Sequence, residues 1–175
     1  MKKVLLFSTM VAFIAACGGG EQPESTTTET TESIESTEPV DEASETAEEE
    51  GGVVEIQLTT VGETMADMEF SPKQVRVGAG STVRVVLDNV AEAAAMVHNF
   101  VLVERGSADE IYPLAIEAGP DNNYVPEHDA IIAYTPMANP GEVVEVEFEA
   151  PAAGIYQFIC TYPGHAAMKG IFVVE

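Results

Sequence analysis

A thiol, an imidazole and a thioether lie within nine consecutive residues near the carboxyl end of the chain, at Cys160, His165 and Met168. The runs on either side have strand character, so the three groups are expected in a loop between two strands. Two histidines, one cysteine and a weakly bound methionine form the ligand set of copper sites that carry single electrons. His98, in the segment Met-Val-His-Asn-Phe, is the candidate for the second histidine. The residue types and their spacing therefore predict a site for one copper ion.

Two short motifs contain these candidate ligands. They are His-Asn-Phe-Val-Leu at 98–102 and Cys-Thr-Tyr-Pro-Gly-His at 160–165, with Met-Lys-Gly following at 168–170. With them the chain resembles the cupredoxins, in particular the azurin and auracyanin branch of these blue copper proteins, over about residues 53–175. The resemblance implies a type 1 site in which His98, Cys160 and His165 bind copper strongly and Met168 is a distant axial ligand. It also implies a carrier that cycles between Cu(I) and Cu(II), with no catalytic residues.

The spacing between the loop histidine and the methionine departs from that of azurin. Only Ala166 and Ala167 separate His165 from Met168, whereas azurin has three intervening residues. Amicyanin, another cupredoxin, has the shorter interval. The resemblance therefore still implies an axial Met168.

The resemblance also assigns roles to residues that do not bind the metal. Asn99 and Thr161 are expected to tie the two ligand-bearing loops together by hydrogen bonds. The ring edge of His165 is expected to reach the surface and to pass the electron. Around it the resemblance implies an electron-transfer patch of five uncharged residues, Met96, Pro163, Gly164, Ala166 and Ala167. An apolar patch of this kind lets a partner approach closely at a small, transient interface.

The amino terminus has the pattern of an export signal. Two lysines precede an apolar run at 4–16, which is too short to span a bilayer comfortably. The run ends in Ile-Ala-Ala-Cys at 14–17, which is similar to a bacterial lipobox and implies that Cys17 carries lipid. An ordinary secretory signal with an incidental cysteine is the alternative. Residues 1–17 are thus predicted to direct export, as a membrane-anchored lipoprotein facing the periplasm or the cell exterior.

Residues 18–52 and 53–175 differ sharply in composition. The first segment consists mainly of Glu, Thr and Ser with almost no apolar residue to bury, so it is predicted to be a disordered acidic linker. From residue 53 onward, short runs of strand character are separated by Gly and Pro turns. This pattern predicts an all-β domain, a Greek-key β-sandwich of seven or eight strands. One stretch, about residues 109–118, matches the place where azurin-like proteins carry a helical flap.

The chain is strongly acidic and poor in cysteine. Its formal net charge is −23, and residues 53–175 alone hold 18 acidic and 5 basic residues, a net charge of −13. No basic cluster offers a surface for nucleic acid. The acidity fits either a basic redox partner or a halophilic source. Cys17 and Cys160 have unrelated predicted roles, so a structural disulfide is not expected.

Two other classes of function fit part of the pattern. A copper nitrite reductase or multicopper oxidase needs a second copper centre, and three histidines are too few to build one. A periplasmic copper store or chaperone is the alternative, supported only by the Met-x-x-Met pair at Met65 and Met68. His128, between two acidic residues, is interpreted as a solvated loop histidine. The expected protein is therefore a monomeric electron carrier and not an enzyme, and its partners are redox proteins such as a cytochrome or a copper or haem oxidoreductase.

Overall fold

The structure is a computed structural model that describes residues 48–50 and 52–175. The predicted signal, with Cys17, and most of the predicted linker lie outside these residues. None of the helices in the described part of the chain is long and apolar enough to cross a membrane.

Ten strands, one α-helix and one 3-10 helix make up the described chain. They are β1 (Glu48–Glu50), β2 (Val53–Val61), β3 (Glu69–Ser71), β4 (Gln74–Val77), β5 (Thr82–Asp88), β6 (Val101–Glu104), α1 (Ala108–Ala118), the 3-10 helix (Pro120–Asn122), β7 (Ile131–Tyr134), β8 (Val143–Glu149), β9 (Gly154–Ile159) and β10 (Lys169–Val174). One sheet has the order β1-β2-β5-β8, with β3 also pairing with β2, and the other has the order β4-β10-β9-β6-β7. The predicted all-β sandwich class is confirmed, and both sheets are mixed, because β2 is parallel to β5 and β4 is parallel to β10.

Alternation of apolar and polar residues places the core between the two sheets. In β2 the buried positions are Val54, Ile56 and Leu58, and the residues between them are partly or fully exposed. The same period of two buries alternate residues of β5. The structure has more strands than the predicted seven or eight, because two three-residue strands, β1 and β3, accompany the eight longer ones.

Strand β1 lies inside the segment predicted to be a linker. Residues 48–50 fall in the segment predicted to be disordered, yet they pair antiparallel with 53–55 of β2. Gly52 has φ 91°, in the left-handed region that glycine adopts without strain, and so helps the chain reverse between the two strands. Backbone pairing therefore extends into the segment predicted to be a linker, because a free strand edge can pair even with an acidic segment.

Helix α1 is inserted between β6 and β7 and forms a second, smaller apolar cluster. The buried residues of the helix are Ala108, Ile111 and Ala115, whereas Pro113 is exposed. The cluster also contains Val101, Val103, Val125, Ala130 and Ile159. Val101 and Val103 belong to β6 and Ile159 belongs to β9. The helix therefore covers the side of the second sheet that points away from the sandwich core.

Candidate metal centre

Strand pairing brings His98 and Cys160 to one end of the second sheet. Val101 at the start of β6 pairs with Ile159 at the end of β9, His98 shortly precedes β6, and Cys160 directly follows β9. His98 is itself held by an isolated bridge to Ala138, with N–H to O distances of 3.1 and 2.7 Å. The two ligands are 62 residues apart in sequence, and the antiparallel pair makes them neighbours.

The loop after Cys160 returns His165 to the same point. The Nδ1 atoms of His98 and His165 are 3.3 Å apart, and each lies 3.8 Å from the Cys160 sulfur. All three side chains are buried, with exposed fractions of 0 % for His98 and Cys160 and 2 % for His165. Within residues 52–175 they form the one group of three or more His, Cys, Asp or Glu side chains placed to hold a metal ion.

The triangle formed by these three atoms has the size that a first-row transition metal needs. A point equidistant from them lies about 2.1 Å from each, close to metal–imidazole and metal–thiolate bond lengths. The donor set of two imidazoles and one thiolate is that of electron-transfer copper sites. The residues present therefore fit copper without rearrangement.

Met168 is held beside both loop ligands by its backbone. The Cys160 N–H donates to the Met168 carbonyl at 3.1 Å, and the Met168 N–H donates to the His165 carbonyl at 2.9 Å. Its side chain is fully buried in the core between the sheets. The short interval of Ala166 and Ala167 therefore still returns Met168 to the end of the sheet where the three donors meet.

Burial keeps all three donor groups uncharged when no metal is bound. Loss of solvation raises the pKa of the Cys160 thiol to about 11 and lowers the pKa of His98 to about 4, with the charge of a protonated His165 adding to the second shift. Loss of solvation also lowers the pKa of His165. At neutral pH the imidazoles are free to bind, whereas the thiol holds its proton until a metal displaces it. Metal affinity therefore falls as the pH falls.

A buried hydrogen-bond network joins the two ligand-bearing loops. The Asn99 Nδ2 group donates to Thr161 Oγ1 at 2.8 Å, and the Thr161 N–H donates to Asn99 Oδ1 at 2.9 Å. Both side chains are almost fully buried. These reciprocal bonds connect the residues that directly follow His98 and Cys160, so they limit movement of one ligand relative to the other.

Three further residues support the site, and the sequence did not single them out. The buried Asn89 side chain donates to the carbonyls of Met96 and Ala138, on the segments before and beside His98. The Asn123 carbonyl accepts from Asn99 Nδ2 at 3.2 Å, and Tyr112 Oη donates to the Ala166 carbonyl at 3.1 Å. The turn-forming residues around Asn89 and Asn123 indicate that both lie in loops. Their hydrogen-bond partners are distant in the sequence, so the local pattern does not predict them.

The surface near His165 differs in part from the predicted electron-transfer patch. Pro163, Gly164, Ala166 and Ala167 are exposed. The prediction includes Met96 in this surface patch, whereas the structure places Met96 in the core with 3 % of it exposed.

A methionine outside the predicted patch lies on this surface. Met65 is 56 % exposed, and a β-carbon added at Gly164 would come within 2.5 Å of its Cε atom. The Tyr162 ring packs against His165 with centroids 4.8 Å apart. The imidazole therefore lies under a thin cover, with little of its edge in contact with solvent.

The surroundings of the site are apolar. Phe70, Phe100 and Phe158 are fully buried and in ring contact, with centroid distances of 5.2 and 5.6 Å to Phe158. A dry aromatic shell of this kind excludes water and so influences the reduction potential of a bound metal.

No second metal site is built near His128 in the described part of the chain. The His128 side chain is 19 % exposed, less than a solvated loop histidine would be, and its Nε2 is 3.7 Å from Glu110.

A β-sandwich that holds two imidazoles and a thiol at one end defines a copper protein of the cupredoxin class. Residues 56–175 match the family of copper binding proteins described as plastocyanin/azurin, and the chain belongs to that family. It is similar over its whole length to auracyanin-A of Chloroflexus aurantiacus, with 36 % identity over 179 residues that cover 96 % of that relative.

Solved structures show the same likeness. The structure of auracyanin A, described as a blue copper protein from a photosynthetic Chloroflexus aurantiacus, superposes with a TM-score of 0.64 and 41 % identity, covering 71 % of this chain and all of that one. Dithionite-reduced auracyanin from Roseiflexus castenholzii gives a TM-score of 0.62 and 36 % identity, covering 69 % of this chain and 96 % of that one. Copper is therefore the cofactor, and His98, Cys160 and His165 are the residues arranged to bind it.

Proposed function

We propose that this protein is a type 1 copper electron carrier that moves one electron at a time between redox proteins outside the cytoplasm. The observation that supports this most is the closed, fully buried triangle of His98, Cys160 and His165, whose atoms already have metal-binding separations. Copper bound there would supply the one-electron change between Cu(I) and Cu(II). The chain's own part is to hold the donors fixed, so that little moves when the electron does. No substrate is transformed, and the protein is not an enzyme.

Met168 would supply a fourth, weaker donor to the proposed copper site. Its backbone bonds to Cys160 and His165 hold it beside both of them, and its buried thioether is a soft donor suited to copper. Met168 would therefore act on the relative stability of Cu(I) and Cu(II) more than on whether copper binds.

We propose that electrons pass through the thin cover over His165. Pro163, Gly164, Ala166 and Ala167 are exposed, small or uncharged, and would cost a docking partner little desolvation. The partner would be a cytochrome or a copper or haem oxidoreductase. With a net charge of −13 on residues 53–175, a partner with a basic surface would also be attracted from a distance.

Charge placed on this surface tests the route. Ala167→Glu and Ala167→Lys are expected to leave the absorption spectrum and reduction potential nearly unchanged, because the side chain is exposed and points away from the core. Electron self-exchange, measured by NMR line broadening in mixtures of oxidised and reduced protein, is expected to slow about tenfold, since two copies must bring these surfaces together.

The matched control is Ala153→Glu. Ala153 is also exposed but directly precedes β9, so it lies at the opposite end of the strand from Cys160, about 20 Å away. This variant should exchange at the native rate. Equal rates for the native protein and both Ala167 variants would show that electrons use another surface, while leaving the copper site itself intact.

The copper store or chaperone alternative loses its support in the fold. Met65 is exposed but Met68 is only 6 % exposed and belongs to the core. The Met-x-x-Met pair therefore does not present two thioethers together at the surface, as a site for copper exchange would require.

We further propose that lipid on Cys17 anchors the mature protein to a membrane. The lipobox-like Ile-Ala-Ala-Cys at 14–17 supports this. Cys17→Ala is expected to shift the protein from the membrane fraction to the soluble or unprocessed fraction, because the acyl chains are the proposed anchor. Fractionation followed by mass spectrometry of the amino terminus measures both. Undiminished membrane retention of the Cys17→Ala protein would rule out the lipid anchor.

A further inference from the structure

Helix α1 reaches the metal-binding loop through one side chain. Tyr112 Oη donates to the Ala166 carbonyl at 3.1 Å, across 54 residues of sequence. Ala166 directly follows His165 and is exposed, as is Ala167 after it. A phenol hydroxyl keeps its proton at neutral pH, so it can donate this bond.

The loop has few other bonds at this point. Between Cys160 and Met168 its backbone hydrogen bonds are Cys160 N–H to Met168, His165 N–H to Tyr162 and Met168 N–H to His165, all 2.9–3.1 Å long. Each of these joins two residues of the loop itself. Asn99 fixes the start of the loop at Thr161, whereas the Tyr112 bond joins the later half to another element.

The helix is a rigid base for such a contact. Ile111, next to Tyr112, and Ala115 are fully buried, and Ile111 packs against the second sheet. The segment that follows the helix is joined to the same site, because the Asn123 carbonyl accepts from Asn99 and its side chain accepts from the Met137 N–H at 3.1 Å. The insertion thus contacts the ligand-bearing loops at two separated places.

We propose that Tyr112 is a positioning residue for the copper site, which holds the His165 side of the loop against helix α1 so that it stays in place when copper changes oxidation state. The purpose of this positioning rests on the proposed electron-transfer function. The hydrogen bond itself and its effect on the loop are independent of that function. The helical insertion would then be part of the metal centre's support and not only a cover for the sheet.

The test removes the hydroxyl and keeps the ring. In copper-free Tyr112→Phe protein, amide hydrogen exchange at His165 and Met168, measured by NMR, is expected to be about fivefold faster, as the loss of one hydrogen bond implies. In the copper-loaded protein, self-exchange is expected to slow by a similar factor, and the copper hyperfine pattern in the EPR spectrum to change, because the ligand geometry is held less firmly.

Tyr156→Phe is the matched control. Tyr156 Oη also donates to a backbone carbonyl, that of Ala152 at 2.8 Å, but this bond lies at the end of β9 remote from Cys160. It should lower stability by a similar amount and leave loop exchange and the EPR spectrum unchanged.

The outcomes separate this proposal from the wider one. If Tyr112→Phe and Tyr156→Phe lose similar stability and the loop amides and EPR spectrum stay native in both, Tyr112 is structural only and the proposal is wrong. If the loop amides of the copper-free protein respond but the native copper protein exchanges no electrons, the positioning contact stands and the electron-transfer function fails.

Discussion

Cys160→Ser is expected to abolish the intense visible absorption of the copper-loaded protein. That absorption is charge transfer from thiolate to Cu(II), and a hydroxyl cannot supply the soft, easily ionised donor. The site offers no substitute, because within residues 52–175 Cys160 is the one cysteine and it is fully buried. Absorption and EPR spectra of the protein reconstituted with Cu(II) measure the change.

Proton release gives a second reading of the same substitution. Burial raises the pKa of the Cys160 thiol to about 11, so metal uptake at neutral pH should release one thiol proton in the native protein, whereas the serine variant has no thiol proton to release. Calorimetric titration in buffers of different ionisation enthalpy counts the protons. Cys17→Ser, which alters the other cysteine of the chain, is the control and should keep both the colour and the proton release. A Cys160→Ser protein that remains intensely coloured would contradict the assignment of the thiolate ligand.

Met168→Leu is expected to raise the reduction potential, and Met168→Gln to lower it, with copper retained in both. Loss of the thioether favours Cu(I) with three ligands, whereas a hard oxygen donor favours Cu(II). A shift of about 60 mV or more in each direction corresponds to a tenfold change in the relative affinity for the two oxidation states. Cyclic voltammetry of the loaded variants gives both values.

The control for this pair is Met65→Leu. Met65 is exposed and lies over Gly164, so the substitution changes a methionine near the site without touching the proposed axial position. The reduction potential should stay within about 20 mV of the native value, well below the shift that a tenfold change in relative affinity would give. Met168 is fully buried, and Leu has nearly its volume, so the fold should survive. Unchanged potentials for both Met168 variants would show that its sulfur is not bound to copper.

Local chemistry was readable from the sequence because it is carried by short segments. Cys160, His165 and Met168 belong to one loop, and their types indicate a soft metal without any knowledge of the fold. The alternation in β2 and β5 indicated a sandwich because side chains of a strand point alternately to its two faces. The helical insertion was placed within one residue, since α1 begins at Ala108 and ends at Ala118.

The distances between distant segments were decided by the tertiary structure, although the family resemblance had already named His98 as a ligand and paired Asn99 with Thr161. That His98 lies 3.3 Å from His165 depends on the register of β6 against β9, and nothing in either segment by itself sets that register. The same holds for Tyr112 reaching Ala166 and for Asn123 reaching Asn99. Burial of Met96 and exposure of Met65 were likewise outside the reach of the sequence, because an apolar residue in a loop can cover the core or face solvent, and only the packing around it selects between them.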